Sequence, residues 1–162
     1  MSLEKNKIAI VVSDFNKEIT SALLENTLKR LEQQKKGDIE IKIIHVPGAF
    51  EIPLVASKYI NNQHFQCVIC LGCVIRGETT HYDYICQETA RAIMNLNISS
   101  QKPVIFGILT TESKKQAADR AGLSYSDLQE GYLSDSKEYK HPTKGHEFAD
   151  AALKMLEIMK ED

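Results

Sequence analysis

The sequence predicts an α/β fold built on a parallel sheet with right-handed crossovers, and three observations carry that prediction. Short β-branched or alternating apolar runs take turns with longer runs of helical period along most of the chain. Phe65 to Ile75 is almost continuously apolar, as a central strand covered on both faces must be. Directly after it Arg76-Gly77-Glu78 breaks the run, and a helical pattern starts near Thr80, with Ile85, Ala92, Ile93 and Leu96 at helical spacing. A strand, a tight turn and a helix start in that order put backbone N–H groups and a positive dipole end at the rim of a sheet. That setting suits a phosphate.

Ile8-Ala9-Ile10-Val11-Val12 reads as the first strand, ended by the loop Ser13-Asp14-Phe15-Asn16. Ile19 to Gln34 carries Leu23, Leu24, Leu28 and Leu31 at helical spacing, and Gly37 is its expected stop. Ile39 to Val46 alternates as a strand should, and Pro47-Gly48 turns the chain. A helix over Ile52 to Ile60 tolerates Pro53 in its first turn. After the central strand, Thr80 is the expected N-cap of the next helix, with Asp83 three residues on in a capping-box pattern. Val104 to Leu109, introduced by Pro103, makes the fourth strand, and Thr111 to Ala121 reads as its helix. Phe148 to Met159 closes the chain as an amphipathic helix with Ala151, Ala152, Met155, Leu156 and Met159 on one side.

At 162 residues the chain is expected to form one domain, 1–162, with a core of ordinary size. A net charge of −2 with mixed signs gives no reason to expect nucleic acid or a membrane surface as partner. No apolar run approaches the ~18 residues of a membrane span. The opening Met1-Ser2-Leu3-Glu4-Lys5-Asn6 lacks the apolar core of a signal peptide, which makes the cytoplasm the expected compartment.

Cys67, Cys70 and Cys73 have a spacing that can hold a metal cluster. On a strand, however, residues three apart face opposite sides, and a rise of ~3.3 Å per residue separates Cys67 from Cys73 by about 20 Å. These three and Cys86 are expected to be buried, inert thiols in a reducing compartment. His141-Pro142-Thr143-Lys144-Gly145-His146 offers histidines without an obvious third ligand and reads as a solvated loop. No metal is expected.

In an open parallel sheet, ligands bind beyond the carboxyl ends of the strands. The loops there are Asp14-Phe15-Asn16, Pro47 to Glu51, Arg76 to His81, and Thr110-Thr111-Glu112. They bring aromatic rings, a carboxylate, a basic side chain, backbone donors and a histidine to one rim. Such a set suits a flat polar heterocycle with a small anionic partner, with His81 placed to move protons.

The run Gly72-Cys73-Val74-Ile75-Arg76-Gly77-Glu78-Thr79-Thr80-His81-Tyr82-Asp83-Tyr84 closely resembles the signature of the lumazine synthase family. The resemblance extends to Ser13-Asp14-Phe15-Asn16, Val46 to Pro53, Pro103 to Glu112, and Asp119-Arg120-Ala121-Gly122, in the family's order. It implies a flavodoxin-like, three-layer α-β-α sandwich around a four-stranded parallel sheet of order 2-1-3-4. The activity implied is condensation of 5-amino-6-(D-ribitylamino)uracil with 3,4-dihydroxy-2-butanone 4-phosphate, giving 6,7-dimethyl-8-ribityllumazine, phosphate and water in riboflavin biosynthesis.

By the same resemblance, Phe15 stacks on the pyrimidine, while Ala49, Phe50 and Glu51 hold the ribityl chain. Cys73, Val74 and Ile75 line the heterocycle pocket through their backbone, and Phe106 belongs to the same subsite. Glu78 and Thr79 offer backbone N–H groups to the phosphate, with Arg120 as its cationic clamp and Lys144 beside it. His81 is the proton donor and acceptor. No metal or redox cofactor is implied, because both reactants are already activated and much of the rate comes from holding them together. The partners implied are these small molecules and further copies of the chain, in a homopentamer whose adjacent subunits share each site. In some relatives such rings close into a hollow icosahedral shell, and association with a riboflavin synthase is possible.

The chain departs from the family between Leu123 and Thr143, where a polar insertion replaces a short connection before Lys144-Gly145. Loops of that length are usually functional or mobile. Two further positions have a geometric consequence of their own. Arg120 lies about nine residues into a helix that starts at the rim, hence about 14 Å along it at ~1.5 Å per residue. Phe106 lies mid-strand, likewise short of the rim. A neighbouring subunit is the natural beneficiary of both. Two other readings compete: a non-catalytic flavin- or lumazine-binding protein, which would not need His81 and Arg120, and a signalling receiver domain. The receiver fails because no phosphoacceptor Asp ends the third strand and a fifth strand is missing.

Overall fold

The computed structural model describes residues 6–34, 38–130 and 143–161. In chain order the elements are β1 (Asn6–Ser13), α1 (Lys17–Gln33), β2 (Ile39–Val46), a 3-10 turn (Ala49–Glu51) and α2 (Ile52–Ile60). There follow β3 (Cys67–Ile75), α3 (His81–Ser100), β4 (Val104–Thr111), α4 (Lys114–Ala121), α5 (Tyr125–Glu130) and α6 (Lys144–Ile158). The strands form one sheet in the order β2-β1-β3-β4, with every neighbouring pair parallel. Among the described residues, no helix is long and apolar enough to cross a membrane.

Period-two alternation along the two central strands divides the core into layers. Ala9 and Val11 of β1, with Val68 and Cys70 of β3, meet Ile52, Ala56 and Ile60 of α2 and Ile93 of α3. Ile8, Ile10 and Val12, with Cys67, Ile69 and Leu71, face the other way onto Leu31 of α1 and Ala149, Ala152 and Leu156 of α6. Towards the carboxyl ends of the strands, Cys73 and Leu109 continue that second face beneath Ile19 and Leu23 of α1 and Ala117, Ala118 and Ala121 of α4. The result is the three-layer sandwich in the expected order. Each fully buried Ile or Leu in it, such as Ile10, Ile69 and Leu23, contributes about 1.5–3 kcal/mol relative to exposure.

Several local expectations change. β1 runs from Asn6 to Ser13, and α1 begins at Lys17, two residues before Ile19, behind Asn16 in a left-handed conformation with φ 56°. The expected stop at Gly37 lies outside the described residues. Thr80 precedes α3, but its side chain makes no cap bond. The Asp83 carboxylate, expected to complete a capping box, instead takes a two-pronged bond from Arg76, since a guanidinium outcompetes an exposed amide for a carboxylate. α4 starts at Lys114 rather than Thr111, because Ser113 caps it by accepting the Gln116 N–H at 3.2 Å.

The stretch after Gly122 is not uniformly polar loop. Leu123 and Leu128 pack on the Ala117–Ala118–Ala121 surface, and α5 forms around Leu128. Residues 131–142, including His141, lie outside the described residues. α6 begins at Lys144, earlier than Phe148, so Lys144 and His146 belong to a helix start and not to a loop.

Candidate active site

Each loop at the carboxyl rim is pinned to its neighbour by backbone groups. The N–H groups of Asp14 and Phe15 donate to Val46 O and Pro47 O at 2.8 and 3.0 Å, tying the end of β1 to the end of β2. Asn16 Nδ2 donates to Cys73 O at 2.9 Å, tying the same loop to β3. Held from both sides, this turn presents the Phe15 ring with 69% of its surface exposed. The 3-10 turn after Gly48 buries Ala49 and exposes Phe50 to 56%.

These rings flank a cavity of about 660 Å³, within the range of small-molecule sites. Phe15, Ala49, Phe50 and Glu51 line one side of it. Cys73, Val74 and Ile75 from the end of β3, with Thr79 and His81 from the start of α3, complete the predicted set that the fold brings together. Sequence reasoning missed Tyr82, Tyr84 and Ile85, which line the same cavity. The signal was present: Tyr84 and Ile85 stand three and four residues from His81 and so share its helix face. Ile85 does both, packing against the core as its helical spacing implies and lining the cavity with its exposed part.

The 77–80 loop is exposed, and Glu78 lies on it outside the cavity lining. Among the described residues, no hydrogen bond takes up the backbone N–H of Glu78 or Thr79, whereas that of His81 turns back to Thr79 Oγ1 at 3.4 Å. Arg76 is not free to serve an anion. It is bonded to Asp83 and Glu112, one cation between two carboxylates. Cys86, expected to be buried, is only half-buried, whereas the three thiols of β3 are buried and inert. Burial pushes Cys73 up to about 12 and raises Cys67 and Cys70 further, and Cys67 and Cys70 face opposite sides of the sheet. Among the described residues no group of three or more His, Cys, Asp or Glu is placed to share a metal ion.

Besides Glu78, three predicted residues lie outside the cavity lining. Phe106 pairs with Cys70 on the edge strand β4, 40% exposed and four residues short of Thr110, hence about 13 Å below the rim. Arg120 is in the last turn of α4, on the opposite layer, its Nη1 donating to Gln116 O at 3.1 Å. Because α4 starts at Lys114, Arg120 is about 9 Å along the helix, less than the start at Thr111 implied. Lys144 opens α6 and is paired with Glu147 at 2.5 Å. Arg120 and Lys144 each lie one residue from a contact with α1: Asn26 Nδ2 donates to Ala121 O at 3.0 Å, and Gly145 packs against Leu23, Asn26 and Thr27.

An open parallel sheet with an aromatic-lined cavity, a histidine at a helix start and unclaimed backbone donors beside it defines an α/β protein that handles a flat ring and an anion. Comparison with known proteins narrows this class. The family model described as 6,7-dimethyl-8-ribityllumazine synthase matches residues 5–160, and the chain belongs to that family. It is 41% identical over 155 residues to the 6,7-dimethyl-8-ribityllumazine synthase of Coxiella burnetii strain Dugway 5J108-111. It is 42% identical to the proteins of the same name from strains CbuG_Q212 and RSA 493 / Nine Mile phase I. Each match covers 96% of this chain and 92% of the relative.

Proposed function

We propose that this chain condenses 5-amino-6-(D-ribitylamino)uracil with 3,4-dihydroxy-2-butanone 4-phosphate to 6,7-dimethyl-8-ribityllumazine, releasing phosphate and water. The observation that carries the reading is the single cavity in which Phe15, Glu51, the end of β3, Thr79 and His81 meet. Phe15 stacks on the pyrimidine, and the backbone of Cys73, Val74 and Ile75 reads its edge. Ala49, Phe50 and Glu51 hold the ribityl chain, the carboxylate of Glu51 accepting from its hydroxyls. The exposed N–H groups of Glu78 and Thr79 receive the phosphate. The amine attacks the ketone carbonyl, and His81 shuttles the protons that let water leave as the imine forms and phosphate leave by elimination. Loss of phosphate leaves an enol at the carbon that bore the 3-hydroxyl; it tautomerises to a carbonyl, and ring closure of the ribityl-bearing nitrogen onto that carbonyl releases the last water. The rest of the acceleration is proximity of the bound reactants.

The chain acts as an oligomer with shared sites, and we take the form to be a pentameric ring. Arg76 is neutralised by Asp83 and Glu112, so the charge that receives the phosphate comes from elsewhere. Arg120 and Lys144, both on the other layer, supply it from the next subunit, and Phe106 closes that subunit's side of the heterocycle site. The surface of α3 supports such packing. Of the residues between His81 and Ser100 only Thr89 and Ile93 are buried, while Tyr84, Met94 and Ile98 are 59% exposed or more.

Incubating the protein with both substrates while following the lumazine's absorbance and fluorescence tests the reaction. Product should form without added metal and in the presence of a chelator. Binding of the pyrimidine without turnover would instead favour a flavin- or lumazine-binding protein, and activity lost to a chelator and restored by a divalent ion would overturn the metal-free mechanism.

A further inference from the structure

Arg76 directly follows β3, between Ile75 and Gly77 of the cavity lining, and by residue type alone is the obvious cation for a phosphate. Its bonds point elsewhere. Nε donates to Glu112 Oε2 at 2.8 Å, and Nη1 and Nη2 donate to the two carboxylate oxygens of Asp83 at 3.2 and 2.9 Å. The guanidinium carbon stands 4.2 Å from the centroid of the Tyr82 ring. The backbone N–H of Arg76 donates to Thr111 O at 2.9 Å. Glu112 is anchored in turn, its N–H donating to Gln116 Oε1 at 2.9 Å. One side chain therefore joins the end of β3, the first turn of α3 and the end of β4. Two of the residues it grips, Tyr82 and Asp83, directly follow His81 in the chain.

We propose that Arg76 is a positioning residue for His81, its planar fork fixing the first turn of α3 against β4 and so setting where the imidazole stands at the cavity. The inference rests on His81 being the proton carrier. A guanidinium that satisfies two carboxylates while lying on a ring admits one orientation, whereas a lysine's point charge admits many. The precision matters because a misplacement of about 1 Å costs on the order of 100-fold in rate. Asp83 is kept ionised for this role, its carboxyl held below the usual range first by the bond from Arg76 and then, against some desolvation, by the guanidinium's charge.

Steady-state kinetics on the assembled enzyme separates this from a role as phosphate ligand. The variants are Arg76→Lys, Asp83→Asn, Glu112→Gln, His81→Ala and the pair Arg76→Lys with His81→Ala. Each of the first three should lower kcat about tenfold while KM for the butanone phosphate stays within about twofold. Arg76→Lys should have no further effect once His81 is alanine, because it acts only through that ring. Arg76→Lys keeps the charge while Asp83→Asn and Glu112→Gln each remove one negative charge, so a loss of kcat shared by all three is not an electrostatic effect on the anion. A phosphate ligand behaves oppositely: lysine substitutes for it, and Asp83→Asn frees the guanidinium and lowers KM at unchanged kcat. That result, or full additivity of the pair, would overturn the proposal. If His81→Ala alone leaves kcat unchanged, the failure belongs to the proton-carrier reading beneath it.

Discussion

At the scale of single residues, His81 is the one imidazole lining the cavity, so the proposed proton transfers have a specific test. His81→Ala should lower kcat by about 10- to 100-fold while the pyrimidine still binds, because proximity survives the loss of the ring. An unchanged kcat at saturation would remove His81 from the mechanism. Arg120→Ala should act on the other reactant, raising KM for the butanone phosphate most, because a charge-assisted contact disappears. Phe15, Phe50, Glu51 and His81 were legible in the sequence since each lies in the short stretch between the end of a strand and the body of the next helix, where an open parallel sheet leaves side chains free for a ligand. Tyr84 was not legible, because helical spacing alone does not separate a residue facing a cavity from one facing the core. The sequence shows Arg76 only as a basic residue at the rim and Asp83 only as a cap candidate, because the pairing of the two depends on how the 77–80 loop folds back.

At the scale of elements, α6 shows why a boundary escaped a reading that placed the strands well. Lys144-Gly145-His146-Glu147 looks like loop, because glycine within a helix costs roughly 1 kcal/mol relative to alanine. The glycine is required by packing: a Cβ at Gly145 would lie 2.7 Å from Leu23 O and 2.8 Å from Asn26 Cβ, so α1 and α6 can approach only over a bare backbone. Arg30 secures the pair through two bonds to Asp150, Nε to Oδ1 at 2.8 Å and Nη2 to Oδ2 at 3.0 Å. His146 closes the helix start, with its Nδ1 accepting the Thr143 N–H at 3.2 Å, which requires an unprotonated nitrogen there. Burial first, then the charges of Arg30 and Lys29 against that of Asp150, hold this histidine below its ordinary value. The unfolded chain therefore takes up the proton more readily. Stability from this group is complete above about pH 6.5 and is lost as pH falls from there through the folded value. Replacing His146 with asparagine should flatten the fall of Tm on acidification between about pH 7 and pH 5. If wild type and variant follow parallel Tm–pH curves, the cap does not titrate in that window.

At the scale of the whole molecule, one chain supplies a cavity on one layer and the proposed phosphate cations on the other, a division that a cyclic head-to-tail ring resolves. The sheet order needed only the parallel βαβ pattern and the family's motifs, whereas assembly depends on surfaces whose partners no single sequence displays. The long connection after Gly122 bears on what lies beyond the ring. The resemblance implies that shells close through contacts between rings made near the helix following Arg120, the region that here carries the long insertion. Here Leu123 and Leu128 pack against the cluster that holds Ala117, Ala118 and Ala121, and the bulk of this segment is expected to obstruct a second ring. The expected particle is a free pentamer, or at most a pair of rings. Light scattering on the purified protein should then give a mass of about five, or at most about ten, times the 18.2 kDa chain. A mass of roughly sixty chains would show that α5 is part of the ring–ring contact and not an obstacle to it. Replacing the 123–143 segment with a short connection provides the converse test: if α5 is what blocks closure, the shortened chain should shift towards larger closed assemblies, while a variant that stays pentameric would place the block elsewhere on the ring surface.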